Sequence, residues 1–219
     1  MDRMDEMDAM EVVPDMPSPI AEIQLPAWSL SLAPGEWVAV VGGEGAGKTK
    51  LLRRIAGLEP AGAGEIVVAG RDVGGLAPRE RGIALVHANQ VLYPHLTVYG
   101  NIAFGLKLAK LPRPEIDRRV RESARTLGLA GLLDRNPHGL TPALRPLVAI
   151  GRALARKPDL LLLDEPLGSL EGATRSELFA LLKNLRGPLN IGVLYASRHQ
   201  DEAEQLSQRV VTIDNGRLL

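Results

Sequence analysis

The run Gly42-Gly43-Glu44-Gly45-Ala46-Gly47-Lys48-Thr49 constrains this chain more than any other segment. It fits G-x-x-x-x-G-K-[ST] without a gap. It directly follows an apolar run, Trp37 to Val41, and directly precedes a helical pattern over Lys48 to Ala56. That strand–loop–helix context is what gives the pattern meaning. The glycines let the backbone turn tightly, so that its N–H groups point at phosphate oxygens, and the helix N-terminus adds the positive end of its dipole. Lys48 is placed to reach the β- and γ-phosphates of ATP, and Thr49 to give its hydroxyl to Mg²⁺. Lys50 completes the ATP-binding run. The bland alternative is an ordinary Gly-rich turn, and the strand before it and helix after it argue against that.

Further short apolar runs read as strands: Ile83 to Val86, Leu160 to Leu163, Gly192 to Tyr195 and Val210 to Ile213. They are continuous rather than alternating, which predicts a parallel sheet covered on both faces. Helical patterns lie between most of them, over Leu147 to Arg156, Thr174 to Leu185 and Gln200 to Leu206. Strand–helix alternation makes the fold α/β, with a P-loop NTPase core. Glu65 to Ala69 follows a Gly/Pro-rich stretch and reads as part of a smaller antiparallel sheet. Between 88 and 146 the strand signal disappears and Glu115 to Leu127 reads as a helix, so a helical subdomain is expected there, inserted into a domain spanning 21–219. Residues 1–20 are rich in Met, Asp and Pro and are expected to form a flexible tail.

Leu160-Leu161-Leu162-Leu163-Asp164-Glu165-Pro166 is a buried-strand pattern ending in two acids. In open α/β sheets, ligands sit at the carboxyl ends of the strands. Asp164 is therefore placed to hold Mg²⁺ through a water, and Glu165 to orient or deprotonate an attacking water. Two acids at a strand end are as often merely solvated; it is their company with Lys48 and Thr49 that gives them a role.

Composition removes several classes. The formal net charge is zero, which argues against a nucleic-acid partner. There is no cysteine, so neither a disulfide framework nor a thiolate metal site is available. No run approaches the roughly 18 apolar residues that span a membrane. The N-terminus lacks the basic and apolar regions of a secretory signal. The expected location is cytoplasmic.

From about residue 30 to 217 the chain resembles the nucleotide-binding subunits of ABC transporters, in the importer branch that handles sugars, polyamines and small oxyanions. The likeness is carried by the cradle, by Gly57-Leu58-Glu59-Pro60, by Leu92-Tyr93-Pro94-His95-Leu96-Thr97-Val98 and by Asn101 to Lys107. Val148 to Leu154 and Asp164-Glu165-Pro166-Leu167 add to it. The resemblance implies a head-to-tail dimer, with itself or with another ATP-binding subunit. Each ATP would lie between one subunit's cradle and the other's signature loop. It also implies membrane subunits that dock near Tyr93, Pro94, His95, Leu96 and Thr97, and a peripheral place on the inner face of the cell membrane. Many members of that branch carry a further C-terminal β-domain, which is not expected here.

Several family positions are altered. The signature Leu-Ser-Gly-Gly-Gln aligns with Leu140-Thr141-Pro142-Ala143-Leu144. Thr141 keeps a hydroxyl, Pro142 has no N–H to donate, and Ala143 adds a Cβ where the family needs close approach to phosphate. A helix starting at Pro142 would set the ring of Pro146 against the carbonyl four residues back, at about 3 kcal/mol, so the expected start is Pro146 itself. The family's Q-loop glutamine aligns with Ala88, flanked by His87, Asn89 and Gln90; Gln90 substitutes only if the loop shifts by two residues. The switch histidine aligns with Arg198, which can contact a γ-phosphate but has no acceptor nitrogen. His199 is one residue late and reads as a surface histidine. The dimer-contact loop, Gly168-Ser169-Leu170-Glu171, ends in Glu where the family has Asp. No aromatic precedes Trp28, so an adenine stack worth on the order of 1 kcal/mol is not expected.

Two readings follow: an importer's energy subunit that hydrolyses ATP weakly or only with a partner, and a binding module that clamps ATP without turnover. A soluble ABC ATPase acting on DNA or ribosomes fits the zero charge and the Tyr93-to-Thr97 run poorly. A small-molecule kinase fits the late Asp-Glu-Pro strand poorly.

Overall fold

The structure is a computed structural model that describes residues 19–25, 28–62, 64–87 and 91–219, with Trp28 described by its backbone alone. The chain runs β1 (Ala21–Leu25), β2 (Trp28–Leu32), β3 (Trp37–Val41), α1 (Lys48–Ala56), β4 (Ile66–Val68), β5 (Arg71–Asp72) and β6 (Ile83–His87). Three helices follow, α2 (Val98–Leu108), α3 (Arg113–Thr126) and α4 (Leu144–Leu154). It ends in β7 (Leu160–Asp164), α5 (Gly172–Leu185), β8 (Gly192–Ser197), α6 (Gln200–Leu206), β9 (Arg209–Asp214) and β10 (Arg217–Leu218).

The strands form two sheets. The larger has the order β10-β9-β3-β8-β7-β6, parallel except for β10. The smaller is antiparallel, β2-β1-β4-β5, and contains the strand expected near Glu65 to Ala69. The continuous apolar runs have the reason expected of them. Every residue of β3, β7 and β8 is buried, and alternate residues enter different cores. Trp37, Ala39, Leu161, Leu163 and Tyr195 pack with the layer of α2 to α6. Val38, Val40, Leu160, Leu162 and Leu194 pack with Leu51, Leu52 and Ile55 of α1 and with Ile23, Leu30 and Ile66 of the small sheet. A strand with two apolar faces needs a cover on each, and the chain supplies a helical layer on one side and α1 with the small sheet on the other.

α1 is stopped by Gly57, whose φ of 82° is left-handed, with its N–H on the Arg54 carbonyl and the Leu58 N–H on that of Arg53. Arg81, only 3% exposed, donates to the Arg54 and Ile55 carbonyls at that end and also to Leu76 O and Gly74 O. A cation at a helix C-terminus also complements the dipole. Burial lowers the pKa of Arg81, yet the guanidinium stays charged.

Between β6 and β7 the described residues hold only helices and 3₁₀ turns, and α2, α3 and α4 pack on one another. α4 departs from expectation. It begins at Leu144, two residues before Pro146, which sits in the first helical turn. The first four N–H groups of a helix have no intrahelical partner, so a missing donor there costs nothing. The carbonyl four residues before Pro146 belongs to Pro142, outside the helix, so no clash arises. Among the described residues no helix is long and apolar enough to cross a membrane. The tail at 1–20 lies almost wholly outside the described residues, as do Ala88, Asn89, Gln90 and the side chain of Trp28.

Candidate nucleotide site

Parallel strands bring their carboxyl ends to one edge of the sheet. In the register, Val41 lies beside Ser197, Ala196 beside Asp164, and Asp164 beside His87. Backbone bonds carry the same order past the strands: Gly42 N donates to Ser197 O (3.3 Å) and Glu165 N to Ala196 O (3.1 Å). Segments far apart in sequence thus share one rim.

The cradle's glycines are required by its shape. A Cβ on Gly42 would stand 2.4 Å from the Ile213 carbonyl oxygen. Gly47, which leads into α1, has φ of 105°, in the left-handed region that only glycine enters freely. Glu44, Gly45, Thr49 and Lys50 are exposed, whereas Ala46 is buried as the loop's anchor.

Lys48 is 5% exposed. Its Nζ donates to Gly42 O (2.7 Å) and Gly43 O (2.8 Å) and pairs with Glu165 Oε1 at 3.3 Å. Its three donors are therefore met by two cradle carbonyls and the Glu165 carboxylate. Thr49 Oγ1 donates to Asp164 Oδ1 (3.1 Å). A hydroxyl and a carboxylate joined this way are hard oxygen donors, a set that suits Mg²⁺. The chemistry of Thr49 and Asp164 thus fits the cation expected there.

Glu165 holds φ of 46°, a left-handed conformation that costs a non-glycine residue about 1 kcal/mol or more. It is held by its N–H on Ala196 O and by its own carbonyl, which accepts from Gly168 N (2.8 Å). Its carboxylate is gripped on both oxygens, by Lys48 on Oε1 and by Arg198 Nε on Oε2 at 2.9 Å. Arg198 follows the end of β8, between cradle and acid. His199 is exposed and caps α6, its N–H on Ser197 Oγ (3.0 Å), in line with a surface histidine. Together with the cradle loop, Lys48, Thr49, His87, Asp164, Glu165 and Arg198 line a cleft of about 710 Å³. That is the size range of small-molecule sites.

The altered signature lies elsewhere, at the entrance to α4. Thr141 and Pro142 are exposed, but Ala143 is fully buried among the helical layer. This corrects one expectation. The Ala143 methyl faces inward, so it does not project toward an approaching phosphate; what this end lacks is the Pro142 donor. Leu144 N bonds Thr141 O (3.0 Å), closing a turn.

Tyr93 to Thr97 form an irregular loop before α2, with Pro94 and His95 exposed. Fully buried Asn101 pins it. Its Oδ1 accepts from Tyr93 N (2.8 Å) and its Nδ2 donates to Tyr93 O, Leu96 O and Thr97 O. Tyr93 stacks at 4.3 Å on Phe104, with the Arg152 guanidinium 5.2 Å from its ring centre. After β7, the loop to Glu171 is tied by Arg175, which donates to Leu167 O and Leu170 O and grips Glu202 of α6 through two bonds of 2.6 and 2.7 Å. The Glu202 bonds raise the Arg175 pKa further.

Asn101 was named only within the run Asn101 to Lys107 and Arg175 not at all, since each acts by pinning backbone carbonyls of a nearby irregular loop. His87 was noted only as a neighbour of Ala88. Its Nδ1 lies 2.9 Å from Asp164 Oδ2, so both oxygens of Asp164 are engaged. The available signal was positional: His87 and Asp164 each end an apolar strand run, and those runs pair.

A Gly-rich loop between a central parallel strand and a helix, facing an Asp-Glu strand end, defines a P-loop nucleotide-binding domain. The family model described as ABC transporter matches residues 25–168, and the chain belongs to that family. Curated relatives include the sn-glycerol-3-phosphate import ATP-binding protein UgpC of Cereibacter sphaeroides, 46% identical over 84% of this chain and 53% of that protein. The oligosaccharides import ATP-binding protein MsmX of Bacillus subtilis is 41% identical over 87% of this chain and 52% of its own length. The trehalose/maltose import ATP-binding protein MalK of Thermococcus litoralis is 43% identical over 86% and 52%. The chain therefore spans about half the length of these relatives. Among solved structures it is similar to cbiO1 from Clostridium perfringens, part of the ABC transporter complex cbiONQ, with a TM-score of 0.80 and 26% identity over 92% of this chain and 87% of that one.

Proposed function

We propose that this chain is the MgATP-binding, energy-coupling subunit of an ABC importer, with slow ATP turnover. The observation that carries the reading is the single cleft in which Lys48, Thr49, Asp164 and Glu165 meet. Lys48 would leave the Gly42 and Gly43 carbonyls for the β- and γ-phosphates, and the N–H groups of Gly45 to Lys50 would cradle them with the dipole of α1. Thr49 and Asp164 would hold Mg²⁺, which when bound neutralises phosphate charge. Glu165 would orient the attacking water and take its proton.

Slow turnover rests on the grip that Arg198 and Lys48 keep on Glu165. Lys48 is drawn off by phosphate, but Arg198 stays beside the acid and occupies the oxygen a water would use. Pro142 removes a donor from the face that would meet the ATP of a second subunit. That subunit would be either another copy or a different ATP-binding chain. The membrane subunits would dock on the Asn101-pinned loop at Tyr93 to Thr97, placing the chain on the inner face of the membrane. The solute class is that of the relatives, polar compounds such as sugars and glycerol phosphate.

The same grip on Glu165 favours a second reading, a regulatory module that binds ATP without turnover. The test is MgATP binding and phosphate release measured on one sample, with Lys48→Ala and Glu165→Gln beside the wild type. Binding lost in Lys48→Ala, with release above that of Glu165→Gln, supports the energy subunit. Release equal to that of Glu165→Gln selects the module. Turnover of several ATP per second by the purified chain overturns the slow-turnover reading.

A further inference from the structure

We propose that His87 is a ligand for the cation that accompanies the nucleotide, and that it shifts the site's preference from Mg²⁺ toward divalent ions that accept nitrogen, such as Mn²⁺ and Co²⁺. The inference rests on the nucleotide-binding reading above. Three observations support it. His87 Nδ1 and Thr49 Oγ1 contact opposite oxygens of one carboxylate, Asp164, at 2.9 and 3.1 Å. All three side chains line the cleft that holds Lys48 and Glu165. The His87 side chain is 38% exposed while that of Asp164 is 7% exposed, so the imidazole stands at the accessible side of the carboxylate that would hold the cation.

The chemistry separates the metals. Mg²⁺ prefers an all-oxygen octahedron and parts reluctantly from its waters. Imidazole is a favoured ligand of first-row transition ions, whose affinity for such sites rises from Mn²⁺ to Co²⁺ and beyond. One nitrogen added to a hydroxyl and a carboxylate gives a mixed set that no longer matches Mg²⁺ alone. Position explains why a histidine can do this here. β6 ends on His87 and β7 on Asp164, directly paired in the parallel register, so the two side chains start from adjacent points on the same rim.

The test uses the full chain with Mn²⁺ and a non-hydrolysable ATP analogue. Pulsed electron paramagnetic resonance on protein carrying ¹⁵N-labelled histidine should show ¹⁵N coupling to Mn²⁺, and His87→Phe and His87→Gln should abolish it. The partial exposure of His87 lets both variants keep the fold, which circular dichroism checks. In parallel, the ratio of analogue affinity with Co²⁺ to that with Mg²⁺ should fall about tenfold in His87→Phe, about 1.4 kcal/mol. A sample that binds the analogue but shows no histidine coupling overturns the inference, as does an affinity ratio equal in wild type and His87→Phe. Failure to bind the analogue with any of the three ions overturns the nucleotide-binding reading itself.

Discussion

Two helix entrances invite comparison. α1 begins after Gly42 to Gly47, a loop with two left-handed glycines and no side chain at the positions nearest its turn. α4 begins after Leu140 to Ala143, where a proline stands exposed, an alanine is buried and a closed turn bonds Leu144 to Thr141. Both are positively polarised helix ends. Only the first joins left-handed glycines to a buried lysine and to a hydroxyl set on a carboxylate. A helix dipole becomes a phosphate site when further donors converge on it, and the entrance to α4 keeps the dipole without a lysine and with a proline in place of one N–H.

The comparison can be broken at four points. The largest effect belongs to Lys48→Ala: MgATP affinity should fall at least 100-fold, about 2.7 kcal/mol, by calorimetric titration. Affinity within threefold of wild type would mean that the cradle is not the site. Next is Arg198→His. Freeing Glu165 Oε2 and returning an acceptor nitrogen should raise phosphate release about tenfold or more, with nucleotide affinity little changed. Unchanged release would place the limit at the α4 entrance. A smaller gain is expected from Pro142→Gly, which restores one donor: about a threefold to tenfold rise in ATP-dependent self-association, seen by analytical ultracentrifugation. No rise there, with the Arg198→His gain intact, would confine the deficit to the cleft. Arg175→Met should be the mildest for binding. It removes two carbonyl contacts and a bidentate pair, lowering stability by about 1–3 kcal/mol in thermal melts while leaving MgATP affinity near wild type. A large affinity loss would show that the loop after Asp164 shapes the site directly.

Much of the fold was legible because its signals are local. The buried strand runs near Trp37, Leu160 and Gly192 announce a sheet covered on both faces, and the expected α1 matches the observed helix from Lys48 to Ala56. The start of α4 was misplaced because proline statistics favour the first helical residue, whereas any position of the first turn lacks an intrahelical N–H bond and can accept proline. The inward-facing methyl of Ala143 was not legible. Which side of a turn faces the core depends on the helices packed behind it.

The cradle is written mostly in its own stretch of chain, with Gly42 set against Ile213 and Ser197 and Ala46 against Gly216. Its function follows from backbone conformations that glycine alone permits and from a lysine and a threonine that immediately follow, so sequence order and spatial order coincide over Gly42 to Thr49. The contacts that tune the site arise otherwise. Arg198 on Glu165 and His87 on Asp164 join residues at the ends of different strands, and only the order β3-β8-β7-β6 and the parallel register make them neighbours. Side-chain identity placed these groups at strand ends, and the sheet's hydrogen-bond register decided which of them touch.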